Sequence, residues 1–291
     1  MRKKIHTWLD NPHAPGDRLK VAAVTIPIVP QPENNLETII HQVDAVLQKY
    51  PQTELVLFGE MLLGWFHPGQ QPAYHLGIAR PLSTKFLQPL MERCLHHGIY
   101  LCFGMPERDG TDAYNTQILI NPQGEIQAVH RKWNLKEEEK LAHYRPGDKS
   151  VTSTNIKGFK TGIVICADAA HPKTMWQLIK GRFDLILLSL ADDRDQDFFM
   201  AKFNARLYDA WVVTANRYGY EDSRYWDGHS VISDPWGSLK TTSKGQAGTL
   251  IYDIHRDRDQ NFLKRLVRNV VVKASFIVHL LSNLKRIRDY R

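Results

Sequence analysis

The chain has 291 residues, 43% of them hydrophobic, which is enough to bury a large core in a single α/β domain. Its formal charge is +7, but residues 255–291 hold ten Lys+Arg against three Asp+Glu and the remainder holds 28 of each, so the body is neutral and no nucleic-acid partner is expected. Three cysteines, Cys94, Cys102 and Cys166, form neither an even disulfide set nor a close-spaced metal pattern, and no run of about twenty apolar residues makes a transmembrane span.

Residues 1–18 read as an N-terminal arm, because Asn11-Pro12 and Pro15-Gly16 punctuate it too often for a regular element. Met1-Arg2-Lys3-Lys4 resembles the start of an export signal, but His6, Asp10, His13 and Asp17 break up the stretch where an apolar segment would have to form, so a reducing cytoplasm is the expected location. A catalytic domain over 19–254 then alternates short apolar runs with helical patterns. A strand is predicted over Val21 to Ile28, a helix over Leu36 to Lys49, a strand over Glu54 to Phe58, a helix over Leu82 to His97 and a strand over Ile99 to Gly104. Asn121-Pro122-Gln123-Gly124 joins two runs, Asn115 to Ile120 and Glu125 to His130, as a hairpin. Further strands are expected at Ile163 to Cys166, Leu185 to Leu190, Trp211 to Ala215, His229 to Ser233 and Thr249 to Ile254, with helices near Thr174 to Lys180 and Asp197 to Asp209. This alternation argues for a layered α/β fold. In the basic segment 255–291, Leu263, Val267, Val270, Ala274, Ile277, Leu281 and Leu284 recur at steps of four and three, which predicts an amphipathic helix that packs on the body, on a second subunit or on a membrane surface.

Three residues are candidates for chemistry, and each is also open to a plain structural reading, as a small buried thiol, a helix or turn carboxylate and a surface lysine. Cys166 ends the apolar run Gly162-Ile163-Val164-Ile165 and is followed by Ala167-Asp168, so a strand-to-turn junction exposes its thiol to a cleft. Glu60 ends Leu55-Val56-Leu57-Phe58-Gly59, where a partly desolvated carboxylate serves as a general base. Lys132 comes just after the hairpin; a cation beside the thiol favours thiolate and binds an oxyanion.

With these residues in place the sequence resembles the nitrilase superfamily of carbon–nitrogen hydrolases, on its amidase and carbamoylase side. Phe58-Gly59-Glu60-Met61 with Gly64-Trp65 looks like the family's Glu motif, His130-Arg131-Lys132 its Lys motif, and Cys166-Ala167-Asp168 with Pro172 its Cys motif. Tyr114-Asn115-Thr116, Ala215-Asn216-Arg217, Gly228-His229-Ser230 and Asp234-Pro235-Trp236-Gly237 add to the likeness, which runs from about Lys20 to Ile254. The resemblance implies a four-layer α-β-β-α sandwich, subunits paired as a homodimer or higher homo-oligomer, and a reaction that needs no metal or cofactor. It implies hydrolysis of a small amide or N-carbamoyl compound through a thioester on Cys166, with Glu60 as base and Lys132 on the oxyanion. A nitrile hydrolase, an amide-forming acyltransferase using the same thioester and a non-catalytic binding module are the alternatives. A second family glutamate falls on Glu139 by spacing from Lys132, with Glu138 left open, and Trp65, Tyr114 and Ala167 are expected to line the substrate pocket.

Departures bear on substrate. Gly59 stands where the family usually has Pro, and Ala167 where it usually has an aromatic, which opens the pocket wall. The Arg that often grips a substrate carboxylate is missing from Ala169-Ala170-His171-Pro172-Lys173, leaving Lys173 or His171 for that task. Asp192 and Asp193 end a strand on the pocket edge, where they favour an amine-bearing substrate or belong to a solvated loop with a helix N-cap aspartate.

Overall fold

The structure is a computed structural model and describes residues 17–64, 72–193, 197–243 and 245–256 together with Val270 and Ala274; side chains of residues 197–199 and 242 are outside that description. Residues 1–16 of the arm predicted over 1–18, Trp65 and the apolar stripe of the basic tail, apart from Val270 and Ala274, lie outside the described residues, while Arg18 already belongs to the first strand.

In chain order the elements are β1 (Arg18–Thr25), α1 (Pro32–Lys49), β2 (Leu55–Phe58), α2 (Pro72–Ile78), α3 (Gln88–His97), β3 (Tyr100–Asp109), β4 (Asp112–Ile120), β5 (Ile126–Arg131), α4 (Glu137–Leu141), β6 (Thr152–Ile156), β7 (Phe159–Ile165), α5 (Pro172–Gly181), β8 (Leu185–Ser189) and α6 (Asp197–Tyr208). They continue as β9 (Trp211–Ala215), β10 (Tyr218–Glu221), β11 (Arg224–Asp227), β12 (Val231–Ser233), β13 (Leu239–Thr242) and β14 (Gly248–His255). One six-stranded sheet runs β14-β1-β2-β3-β4-β5 and the other β13-β12-β9-β8-β7-β6, with β10 and β11 as a separate hairpin.

Strand alternation sorts the side chains into layers. From β1, Leu19, Val21 and Ala23 turn into the space between the sheets and meet Leu55, Leu57, Ile163, Leu185, Leu187 and Val213. The intervening Ala22 and Val24 turn outward with Val56 and Phe58 and are covered by Ile39 and Val43 of α1 and Leu90 and Cys94 of α3. Leu178 of α5 and Ala201 and Ala205 of α6 cover the outer face of the second sheet, over Val164, Ile186 and Val212. The result is the four-layer α-β-β-α sandwich expected from the sequence.

Several elements differ from the sequence reading. The helix over Leu82 to His97 begins only at Gln88, after a short 3-10 turn at Lys85–Leu87. Pro89 explains this: in a helix already running from Leu82 its ring would clash with the carbonyl four residues back, whereas it is tolerated in a first turn. Strand β6 is unannounced because Thr152, Ser153 and Thr154 are polar residues of a sheet edge and only Ile156 is fully buried. Among the described residues no helix is long and apolar enough to cross a membrane.

Candidate active site

The site forms where the two sheets present their strand ends to each other. Strand β7 pairs with β8 so that Ile165 lies opposite Ser189. Ser189 Oγ donates to the Phe58 carbonyl at 3.0 Å and Glu60 N donates to the Leu190 carbonyl at 3.2 Å, which ties the end of β2 to the end of β8. Glu60 and Cys166 are thereby brought to one place from chain positions over a hundred residues apart. The turn after β2 is tight: a Cβ on Gly104 of β3 would stand 2.4 Å from Met61 N, so only glycine admits this approach. Met61 itself has φ 56°, and buried Arg217 holds the turn by donating from Nη2 to the carbonyls of Met61 (3.2 Å) and Gly64 (2.8 Å).

Lys132 is 2% exposed and its ammonium contacts two carboxylates, Glu60 Oε1 at 2.7 Å and Glu139 Oε2 at 2.8 Å. Asn115 bridges the same pair, donating from Nδ2 to Glu60 Oε1 at 2.6 Å and to Glu139 Oε1 at 2.7 Å. Glu138 instead pairs with Arg224 at 2.7 Å, away from Lys132, so of the two adjacent acids Glu139 is the one in the cluster. Asn115 was not singled out from the sequence; its place between two strand neighbours in the Tyr-Asn-Thr run was the available signal. Glu60 Oε2 is buried and, among the described residues, has no hydrogen-bond partner. An unsatisfied carboxylate oxygen away from water is costly.

Burial alone would pull the Lys132 ammonium down, but Glu60 and Glu139 outweigh it and hold it well above the usual lysine range. Glu139 is pushed up by burial and by the Glu60 charge, against the pull of Lys132. The Cys166 thiol is also pushed up, first by burial and then by Glu60, and Lys132 and Lys136 only partly oppose this. Lys132 does draw the thiol toward thiolate, but burial and the Glu60 charge outweigh it. Lys132 is shared between two carboxylates, and the balance of these influences holds the thiol above the usual cysteine range.

Cys166 closes β7 with φ 39°, a conformation unusual for a side-chain-bearing residue, and opens a short 3-10 turn over Cys166–Ala170. Asp168 anchors this turn to the segment after β5. Its Oδ1 accepts from Asn134 N at 2.7 Å and Trp133 N at 3.3 Å, its Oδ2 meets His130 Nε2 at 3.0 Å, and Asn134 Nδ2 donates to the Ala167 carbonyl at 2.7 Å. The lysine-bearing and cysteine-bearing segments are therefore fastened together through buried polar groups.

A cavity of about 240 Å³ opens at Cys166, lined by Ala167, Leu188, Leu190, Met200 and Thr214 and by the charged residues Lys136 and Asp192. Ala167 and Asp192 line this cavity. Tyr114 does not: it is one residue from Asn115 on β4 and so faces the other way, beneath the Arg131 guanidinium at 4.0 Å from the ring centroid. Asp193 is exposed and lies 3.9 Å from Arg224. His171 caps α5 by accepting from Lys173 N and stacks edge-on against Trp133, while Lys173 is exposed. Among the described residues no group of three or more His, Cys, Asp or Glu side chains is arranged to hold a metal ion.

Comparison with known proteins shows the family and the fold. A family model described as carbon-nitrogen hydrolase matches residues 20–262. The "Probable nitrilase" of Schizosaccharomyces pombe is 26% identical over 233 residues, 77% of this chain and 84% of that protein. The "(R)-stereoselective amidase" of a Pseudomonas species is 28% identical over 191 residues, 64% of this chain and 68% of that protein. In structure the chain is similar to Saccharomyces cerevisiae Nit3, a member of branch 10 of the nitrilase superfamily, with a TM-score of 0.74, 23% identity and coverage of 83% of this chain and 91% of that one.

Proposed function

Because the chain belongs to the carbon-nitrogen hydrolase family and is an enzyme acting on C–N bonds, we propose that it hydrolyses a small amide or N-carbamoyl compound through a thioester on Cys166. The observation that carries this reading is the buried Glu60–Lys132–Glu139 cluster beside the thiol, with Glu60 Oε2 unpartnered among the described residues.

Glu60 Oε2 takes the thiol proton as sulfur attacks the carbonyl carbon, and the carbonyl electron pair moves onto oxygen. Lysine has three ammonium donors; two of Lys132's are spent on Glu60 and Glu139, and the third is left for the oxyanion. The tetrahedral adduct collapses, the C–N bond breaks and the nitrogen leaves with the proton held by Glu60. Water then gives a proton to Glu60 and attacks the thioester; the C–S bond breaks, the acid departs and the thiolate recovers its proton. Glu139 acts throughout by holding Lys132, and it is itself fixed by Asn115 Nδ2 and by Lys136 N at 2.8 Å.

A panel of small amides, N-carbamoyl compounds and nitriles, assayed for ammonia release with Cys166→Ala protein as the blank, tests the reading. Release from amides or carbamoyl compounds that vanishes in the blank supports it; release confined to nitriles, or equal in both proteins, overturns it.

A further inference from the structure

Three ionisable residues converge on one neutral side chain and its peptide. Asn115 is buried on β4, and its neighbours Tyr114 and Thr116 take the other face of the strand, Tyr114 beneath Arg131 and Thr116 donating to Glu107 Oε2 at 2.7 Å. The Asn115 carbonyl accepts from Lys132 N at 2.8 Å, which carries the pairing of β4 with β5 one residue beyond Arg131, where β5 ends. The lysine is thereby set in register with the asparagine. Asn115 Nδ2 donates to Glu60 Oε1 at 2.6 Å and to Glu139 Oε1 at 2.7 Å, so both amide hydrogens are committed, one to each acid. The amide oxygen could not take the place of the nitrogen, because it would meet an acceptor on either side.

The two donors to Glu60 Oε1 are not equivalent. Lys132, at 2.7 Å, holds that oxygen by opposite charge, and the attraction weakens once Glu60 has taken a proton. Asn115 is uncharged and continues to donate to the carbonyl oxygen of a carboxylic acid. With Oε1 taken by both donors, the proton goes to Oε2. The bond from Asn115 also favours the charged form of Glu139, against burial and the Glu60 charge.

We propose that Asn115 is the positioning residue of the Glu60 base: it holds the carboxyl group in one orientation through both protonation states, leaves Oε2 to exchange the proton, and keeps two acids in place around one lysine. This rests on the thioester reading above and adds to it a residue whose effect passes through Glu60 and Glu139. Losing Asn115 therefore acts on the chemical step more than on substrate affinity.

Ammonia release from one amide is compared among wild type, Asn115→Ala, Asn115→Asp, Glu60→Gln, the Asn115→Ala/Glu60→Gln double variant and a Cys166→Ala blank, with folding read by circular dichroism. Asn115→Ala is expected to lower kcat about 10- to 100-fold with KM within about threefold of wild type. Asn115→Asp keeps the shape but sets a third acid where two donors stood, and is expected to be slower than Asn115→Ala by about tenfold. In the Glu60→Gln background Asn115→Ala is expected to cost less than about threefold, because its effect passes through a base already lost. That comparison decides the matter even where Asn115→Asp does not fold. Asn115→Ala at wild-type kcat, Asn115→Asp as fast as Asn115→Ala or faster, or losses that multiply in the double variant overturn the inference and leave the hydrolase reading standing. Equal ammonia release by wild type and Cys166→Ala sinks that reading, and the inference with it.

Discussion

Midway along β2 and β7 the sheets meet through Leu55, Leu57 and Ile163, none of them exposed, in a core without charge. Where the same strands end, Glu60, Lys132 and Glu139 are each no more than 4% exposed, yet all are ionisable. The two regions are equally shielded from water and obey opposite rules. The core is held by apolar contact, so its members are replaceable at small cost by apolar side chains of similar volume. The charged end is unfavourable to bury, and each of its members is tolerable only while its partners remain. A sandwich with three apolar layers of packing supplies the stability that keeps such a cluster together in a dry place, where its electrostatic effect on a reacting carbon is largest.

The contrast between the two regions is sharpest when function is removed without removing packing. Glu60→Gln keeps the shape and the Asn115 and Lys132 contacts in outline but ends proton transfer. Its kcat/KM is expected to fall about 10³-fold, within the range for loss of a general acid–base group, at a melting temperature near that of wild type. Lys132→Met, which leaves Glu60 and Glu139 buried without a cation, is expected to lower unfolding free energy by about 3–5 kcal/mol in denaturant titration. Additional substitution of both acids by Gln should recover much of that loss. In the dry core, Leu187→Ala is expected to cost about 2–5 kcal/mol, with the activity of the remaining folded protein close to wild type.

A smaller effect concerns the thiols. Burial pushes Cys94 and Cys102 up to about 12, and Cys166 is raised as well, so at neutral pH all three rest as thiols. Cys166 differs by facing the cavity, and should be the one that a small alkylating reagent reaches. Its labelling rate without substrate is expected to climb about tenfold per pH unit through the alkaline range, because raising pH supplies the thiolate that the site withholds. A rate already level at pH 7 would show a resting thiolate. Smallest of all, Arg224→Ala breaks a partly exposed pair with Glu138 and should change stability by no more than about 1 kcal/mol.

Much of this was legible in the sequence, for physical reasons that also mark where it stopped. Runs such as Leu55-Val56-Leu57-Phe58 and Leu185-Ile186-Leu187-Leu188 are buried on both faces and read as strands directly. Strand ends that carry one chemical residue after such a run exposed Glu60 and Cys166. Edge strand β6 and the hairpin of β10 and β11 carry no such pattern, since polar Thr and aromatic Tyr serve surfaces as readily as sheets. Partnerships across the chain were invisible. Nothing in local pattern says that Asn115 bridges two glutamates, that Asp168 fastens Trp133 and Asn134, or that Lys136 shares a cavity wall with Asp192. Tyr114 shows the converse, since a motif member one residue from Asn115 was expected in the pocket and strand alternation turned it away.

The most direct test of the central claim is a double-mutant comparison of ammonia release from one amide by wild type, Glu60→Gln, Cys166→Ala and the combined variant. Groups that work as one unit lose their function together, so the combined variant is predicted to be no slower than Cys166→Ala alone. Losses that multiply, with the combined variant slower by the product of the single effects, would mean that Glu60 and Cys166 act independently and would contradict the account.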